Sequence, residues 1–530
     1  MDKQQFTMIK TKEEKRNTGA FYTKSDIITD YIVSKLDLKE CMKVLEPCVG
    51  DGEFLKALLK TKKDLDITAF DIDSLAIQYI KNSFSKIKTE IKNTLLDGEE
   101  EYDIILGNPP YGAKYSEEEK KIYTKKYKGI NIPESYALFL VNSINRLKEG
   151  GKLSFIISDT FLHLNNHNKL RRFILDNCKI KEIILLKTKL FPDVNYQYAG
   201  ICIINLEKSK NEQDRLSNRI RFINRISDLS KLKELISHPI DSKPNFVNSE
   251  IIKQEEYDKF IDNVFFQAGI PKGLLSLFMD HNKIVEDYVK CKTGIYSGDN
   301  KKHFRILENS KEAKKFVNAG YKTIAEKDIV KRNLNIEEKK EGIIGEPHFV
   351  SLMKGGSGTY YKRPIWFIDW SRESINYMLN NPKARVQNSE YYFKRGICMS
   401  LINSNRQQAR IMKGVIFDQS DNGYFCEERY LLFFLGFFNS KIFNYMLKKI
   451  VNPTANATVN YVKKIPVLLP NETKLNILNE IVKEIIFLKK QNELADIREK
   501  EEKIDNFFYS LYGLDDKEKE TVENFCYHLR

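Results

Sequence analysis

Leu106-Gly-Asn-Pro-Pro-Tyr-Gly112 holds the most specific chemistry in this 530-residue chain. Two consecutive prolines fix φ and supply no N–H donors. The Asn108 side-chain oxygen and the Pro109 carbonyl can then converge as two acceptors, with Pro110 stiffening the corner. An amine on a planar ring carries two N–H donors, so one such group satisfies both acceptors. Tyr111 adds a flat face on which the ring can stack. Pro-Pro-Tyr-Gly is also a respectable plain turn. Its position directly after the strand-like run Tyr102-Asp-Ile-Ile-Leu106 favours chemistry over a bare turn.

A second set of candidates lies upstream, in Val44-Leu-Glu-Pro-Cys-Val-Gly-Asp-Gly-Glu-Phe-Leu55. This reads as a strand, a glycine turn and a helix start. Gly50 and Gly52 allow a ligand to approach the backbone, and strand ends of doubly wound sheets are where ligands bind. The turn differs from the dinucleotide G-x-G-x-x-G pattern, and a tight connection with no ligand is an equal reading of two glycines alone. About 20 residues further on, Asp71 ends the run Ala69-Phe-Asp-Ile-Asp73, where a carboxylate can accept from both hydroxyls of a ribose. Asp73 reads instead as a helix N-cap.

The elements that must position these residues are short apolar runs at 43–46, 66–70, 102–106 and 152–157, with two further strands at 181–186 and 199–206. Helical stretches separate them: one from Lys24, then 74–88 and 134–148. This alternation predicts an α/β class with a doubly wound, Rossmann-like sheet. From 207 to 285 the rhythm breaks into a polar bridge. Beyond it lie short irregular strands rich in basic and aromatic residues, then a charged helical stretch at 472–510 with Leu475, Leu478, Ile481 and Ile485 at helical spacing. Charged residues 1–17 are expected to form an arm. Lys+Arg exceeds Asp+Glu by 87 − 73 = +14, a bias toward a polyanionic partner. No two of the eight cysteines make a C-x-x-C pair, so no metal site is expected. The polar opening Met1-Asp-Lys-Gln-Gln and an apolar run of only nine residues, Tyr430–Phe438, predict a cytoplasmic protein without a membrane span.

The order of motifs resembles that of the gamma-type, TaqI-like S-adenosylmethionine-dependent DNA adenine-N6 methyltransferases of restriction-modification or phage-defence systems. Thr18-Gly-Ala-Phe-Tyr-Thr23 resembles the family's leading motif, Glu46–Gly52 its cofactor loop, and Asn108–Tyr111 its catalytic motif. The resemblance covers residues 1–206 strongly and about 291–470 loosely, through Thr293–Asn300 and Phe438–Tyr445, which look like the target-recognition region.

It implies a methyltransferase sheet followed by a mixed α+β target-recognition domain: catalytic residues 1–240, a bridge at 241–285 and DNA recognition at 286–530. It also implies S-adenosylmethionine as cofactor and a flipped adenine in double-stranded DNA as substrate. By position, Thr23 meets the methionine part of the cofactor and Phe21 lines the pocket near the target base. Glu46, Cys48 and Gly50 surround the methionine and ribose, Asp71 holds the ribose hydroxyls, and Ile72 packs on the cofactor adenine. The family's acceptor for that adenine's amine falls on Asn93, with Asp97 the nearby carboxylate. An aromatic opposite Tyr111 falls on Phe191, with Tyr196 the second choice.

In the second region, Lys301–Arg305, Lys354–Arg363, Trp366, Trp370 and Tyr391–Arg395 interleave cations and rings, the composition of a nucleic-acid surface. Three rival readings exist. A protein-glutamine or RNA N-methyltransferase fits the planar-amine logic but not a large basic C-terminal region. A non-catalytic DNA-specificity subunit does not need the intact Asn108–Tyr111 and Gly50/Gly52 sets. A fused restriction enzyme needs a D…E-x-K segment that is not found, which leaves a separate restriction nuclease as a candidate partner.

Overall fold

The computed structural model describes residues 25–96, 98–130, 133–187, 190, 200–259, 266–279, 283–356, 358–403, 405–452 and 456–525. Phe21, Thr23, Asp97, Phe191 and Tyr196 lie outside these residues, as do the 1–17 arm and the 18–23 motif. The chain divides into two compact units, Met1–Gly269 and Ile270–Leu529.

The first unit is built on a nine-stranded sheet of β1 (Lys43–Glu46), β2 (Asp66–Asp71), β3 (Lys88–Ile91), β4 (Tyr102–Gly107), β5 (Leu147–Ser158), β6 (Cys178–Leu186), β7 (Ile201–Lys208), β8 (Arg219–Ile226) and β9 (Ser249–Lys253). The spatial order is β3-β2-β1-β4-β5-β7-β6-β8-β9. β3 through β5 run parallel, in the doubly wound order 3-2-1-4-5. β7 inserts antiparallel between β5 and β6. Successive side chains of a strand point to opposite faces. Val44 and Ile104 therefore pack on one face with α1 (Asp26–Ser34), α2 (Glu53–Lys60) and α3 (Ser74–Ser83). Leu45 and Ile105 pack on the other with α4 (Glu117–Lys126), α5 (Ser135–Asn145) and α6 (Asn168–Asn177). Burial on both faces is why these strands read as continuous apolar runs.

Three expectations need correction. The helix expected over 74–88 stops at Ser83, and residues 88–91 form the edge strand β3, whose side chains are mostly exposed and carry no apolar signal. The helix expected to reach 148 stops at Asn145, and β5 begins at Leu147. The stretch from 207, expected as a bridge, supplies β8 and β9. β8 hid because Arg-Ile-Arg-Phe-Ile-Asn-Arg-Ile reads as polar. Its Arg221 is in fact buried, donating from Nε to Glu182 Oε1 at 2.6 Å. The other Glu182 oxygen accepts from the Tyr31 hydroxyl and from Asn205 Nδ2, both at 2.7 Å. A buried ion pair of this kind persists only when its remaining hydrogen-bonding positions are met, as here.

The second unit carries two sheets. One is antiparallel, in the order Lys290–Lys292, Asp421–Phe425, Gly396–Ser400, Ala409–Met412; the other is mixed, with Phe304–Leu307 and Trp366–Asp369 near its centre. The greasy run forms the buried helix Leu431–Asn439. The helix Glu472–Gln491 buries Leu478, Val482 and Ile485, and Leu478 and Val482 lie against Gly436. Trp366 and Trp370, read from sequence as part of a nucleic-acid surface, are 4% and 1% exposed and belong to the core. Asn439 and Asn444 also point inward. Asn439 pairs both ways with the Ala409 backbone, at 3.0 and 2.8 Å, and Asn444 Oδ1 accepts from Gln407 N–H at 2.5 Å. These amides staple an edge strand and do not face a partner. No described helix is long and apolar enough to cross a membrane.

Candidate active site

Parallel strands present all their C-terminal ends at one sheet edge, so the loops after β1, β2 and β4 must meet. Leu45 pairs with Ile105, and Glu46 with Ala69. Gly107 marks the closest approach: a Cβ there would lie 3.7 Å from Pro47 Cδ and 3.9 Å from both Cys48 Sγ and Glu46 Cγ. The glycine loop and the Asn108 corner are thus neighbours.

The loop after β1 turns through Gly50 and Gly52, at φ 51° and 76°. Gly52 is required twice over, since it is left-handed and a Cβ would come within 2.7 Å of Ile80 Cδ1. Asp71, expected to face a ribose, also holds this loop: Oδ2 accepts from Gly50 N–H and Oδ1 from Asp73 N–H, each at 2.9 Å. A carboxylate has about four lone-pair sites and can accept several hydrogen bonds at once. Asp73 caps α3 by accepting from Leu75 N–H at 3.0 Å. Ile72 between them is 62% exposed, a large apolar side chain left outside the core beside Asp71.

The loop is strongly acidic. Glu46, Asp51 and Glu53 are buried, and Asp71 is half-buried. Burial, with Asp51, Asp71 and Glu53 adding repulsion, pushes the Glu46 carboxyl well above its usual range. Its Oε2 is buried with no hydrogen-bond partner among the described residues. A buried acceptor without a donor is costly and calls for a cationic or N–H-bearing ligand. S-adenosylmethionine, with a sulfonium and an ammonium, has that chemistry. Burial also pushes the Cys48 thiol up, so it is no thiolate nucleophile.

The chain after β3 is tied to both neighbouring loops. Lys92 N–H donates to the Asp71 carbonyl at 2.8 Å, and Thr94 Oγ1 donates to the Pro47 carbonyl at 2.7 Å. Between them Asn93 is half-buried; its Oδ1 accepts from Leu95 N–H and its Nδ2 donates to the Tyr123 hydroxyl, both at 3.1 Å.

At the second corner Pro109 is buried, while Asn108 and Tyr111 are half-buried. The Tyr111 hydroxyl lies 2.7 Å from Asn108 Oδ1 and 2.9 Å from the Ile156 carbonyl, so one proton is shared between two acceptors. An amide oxygen has two lone pairs and can take part in more than one hydrogen bond. The Pro109 carbonyl takes no hydrogen bond from a described residue. Ser135 Oγ, at the start of α5, donates to the Pro110 carbonyl at 2.5 Å and accepts from Ala113 N–H at 3.3 Å, bracing the turn that carries Tyr111. Tyr136 packs beneath, its ring centroid 6.2 Å from that of Tyr111. Ser135, Thr94 and Tyr123 were not legible as site residues: each acts through a backbone or amide partner distant in sequence.

The structure therefore brings together Glu46, Cys48, Gly50, Asp71, Ile72, Asn93, Asn108, Pro109, Pro110 and Tyr111 along one sheet edge. Residues 20–191 match the family model described as the Eco57I restriction-modification methylase. The chain is 26% identical over 327 residues to the Type II methyltransferase M.AccI of Acinetobacter calcoaceticus, covering 57% of this chain and 55% of that one. It is 29% identical over 276 residues to M.HincII of Haemophilus influenzae, covering 47% and 51%. The chain spans about half the length of these relatives. In fold it is similar to a nuclease-deletion mutant of the Type ISP restriction-modification enzyme LlaGI, with a TM-score of 0.53 at 13% identity over 88% of this chain and 55% of that one. Residues 20–191 are thus similar to an Eco57I-type restriction-modification methylase and lie on a doubly wound α/β sheet.

Proposed function

We propose that the chain is a site-specific DNA adenine-N6 methyltransferase that uses S-adenosylmethionine and acts on double-stranded DNA. The observation that carries this is the meeting, at Gly107, of an acidic loop with an orphaned carboxylate oxygen and a proline-braced pair of acceptors. When bound, S-adenosylmethionine supplies an electrophilic methyl group. Glu46 and the Gly50 loop hold it, Asp71 takes the ribose hydroxyls, and Ile72 and Asn93 take the adenine face and amine. Asn108 Oδ1 and the Pro109 carbonyl accept the two hydrogens of the target amine. As that nitrogen loses electron density to the new bond, both oxygens stabilise the developing positive charge. An adenine inside a duplex cannot reach this corner, so it must be flipped out. Tyr111 stacks on one face; Phe191 is assigned the other by its place in the sequence. The proton leaves the amine to solvent, with no covalent enzyme intermediate.

Residues 286–530 are assigned to target recognition, with the protein cytoplasmic and a separate restriction nuclease as its partner. The description of the matching family model, a restriction-modification methylase, supports that setting. The test is methyl transfer from labelled S-adenosylmethionine to mixed-sequence duplex DNA by wild type and Asn108→Ala. Wild type transfers and the variant does not, while both bind S-adenosylmethionine alike. Wild-type turnover by Asn108→Ala removes the two-acceptor mechanism.

A further inference from the structure

We propose that the glycine turn of Gly355, Gly356 and Gly358 forms, with Lys362, a contact in the second unit for a backbone phosphate of double-stranded DNA. This rests on the proposed function and deepens it. The turn lies in the connection between the strands Phe349–Met353 and Trp366–Asp369, which pair antiparallel. The three glycines have φ of 52°, 91° and 143°, a backbone that other residues rarely adopt. A buried network holds them. Arg410 is 1% exposed and ion-paired with buried Asp421. Its Nη2 donates to the Gly355 carbonyl at 3.2 Å and its Nη1 to the Gly356 carbonyl at 3.4 Å. Ser400 Oγ lies 3.2 Å from the same Gly356 carbonyl, and Gly358 N–H donates to Gln408 Oε1 at 2.8 Å.

These contacts decide which polar groups face out. A peptide unit is planar and trans, so its N–H points opposite to its C=O. With the Gly355 carbonyl drawn in to Arg410, the Gly356 N–H is directed away from it, and Gly356 is exposed. That N–H donates to no described residue. Lys362 runs along the turn: a Cβ on Gly358 would lie 3.4 Å from Lys362 Cβ, and one on Gly356 would lie 2.7 Å from its Nζ. The ammonium thus stands where a side chain at 356 would be. Lys362 has no ion-pair partner among the described residues, whereas Lys354 on the other flank lies 3.4 Å from buried Asp418. A cation and a backbone donor therefore converge at an open surface that no side chain bars, the chemistry of a phosphate contact. Burying an ion pair and ordering three glycines both cost free energy, and a surface turn that touches nothing requires neither. The excess of 87 − 73 = +14 basic charges favours a polyanion. Tyr360 and Trp366 of the same segment are buried, so neither gives the stacking platform of a single-strand site, which favours paired DNA.

The test measures binding of the full chain to two DNA duplexes of unrelated sequence by fluorescence anisotropy across a range of salt. Loss of one phosphate contact lowers the slope of log K against log salt concentration by about 0.9. Lys362→Ala should show that change and weaken both duplexes alike, by roughly threefold to tenfold at low salt, while Lys362→Arg retains most of the binding. Gly356→Ala keeps every charge but sets a Cβ against the Lys362 ammonium, and should weaken both duplexes too. Lys339→Ala is the control for net charge. It removes an equal charge from the helix Ile336–Glu341, which meets Trp370 at the opposite end of the two strands from the turn, and should leave the slope unmoved. Undiminished binding by folded Lys362→Ala or folded Gly356→Ala overturns the proposal, as does a loss in Lys362→Ala no larger than in Lys339→Ala. A loss confined to one of the two sequences would make Lys362 a reader of bases and overturns it also. If Gly356→Ala fails to fold, Lys362→Ala decides alone. Wild type that binds S-adenosylhomocysteine but neither duplex overturns the DNA substrate of the proposed function and this contact with it. Duplex binding with an unmoved slope in Lys362→Ala overturns only the contact.

Discussion

Replacing Glu46 by Gln separates two quantities that a purely structural residue would move together. Glu46 is buried, repelled by Asp51, Asp71 and Glu53, and its Oε2 has no partner among the described residues. Its raised pKa means that it holds a proton at pH values where an exposed glutamate would not. A cationic ligand reverses this by favouring the carboxylate. Binding should therefore release a proton below the raised pKa, and affinity should climb with pH until that pKa is passed. Gln keeps the shape, cannot ionise, and removes the repulsion. The lost charge-assisted hydrogen bond is worth about 1.5–3 kcal/mol, or roughly 10- to 150-fold in Kd for S-adenosylmethionine. The unliganded melting temperature should hold or rise, because no charge is left to be desolvated. Titration calorimetry at about pH 6 and about pH 8, in two buffers of different ionisation enthalpy, reads both affinity and proton release. An unchanged Kd and an unchanged proton count in Glu46→Gln would refute the assignment of a cation to this acid.

Other consequences follow from buried groups elsewhere in the first unit. Arg221→Leu strands Glu182 in the core and should cost about 3–5 kcal/mol in urea unfolding, against a loss of under about 1 kcal/mol for an exposed pair such as that of Lys120. His163 and His167 are pushed down to about 3 by burial, while the unfolded chain protonates them near 6.5. The unfolded state then binds more protons below about pH 6.5, so stability falls as pH falls, each histidine contributing about 2 kcal/mol of loss by about pH 5. Denaturation curves at several pH values check this, and His163→Gln should flatten the slope. Tyr111→Ala should weaken binding of duplex carrying a flipped 2-aminopurine by roughly 1–3 kcal/mol, read by its fluorescence, with Tyr111→Phe retaining most of that binding.

The sheet edge that carries the candidate site was legible because its signals are local. Asn108–Tyr111 and Glu46–Gly52 each carry their chemistry within one loop, and strands such as Ile104–Leu106, covered on both faces, announce themselves as apolar runs. What stayed hidden was made by partners distant in sequence. β8 is a strand because Glu182, Tyr31 and Asn205 satisfy a network around Arg221, and no window of eight residues reveals that. β3 is an edge with polar side chains and lacks any periodic signal. In the second unit the interleaved cations and rings looked outward by composition. Trp366 and Trp370 instead fill the core, because rings gain most from burial.

In the proposed reaction, two oxygens at Asn108 and Pro109 grip the amine of an extruded adenine. Long-read sequencing of DNA from cells expressing the full chain, beside cells expressing Asn108→Ala, addresses it most directly. N6-methyladenine at one recurring sequence with the wild type, and its absence with the variant, is the predicted result. Methylation that persists in the variant, or folded wild-type protein that leaves every adenine unmodified, would contradict the account.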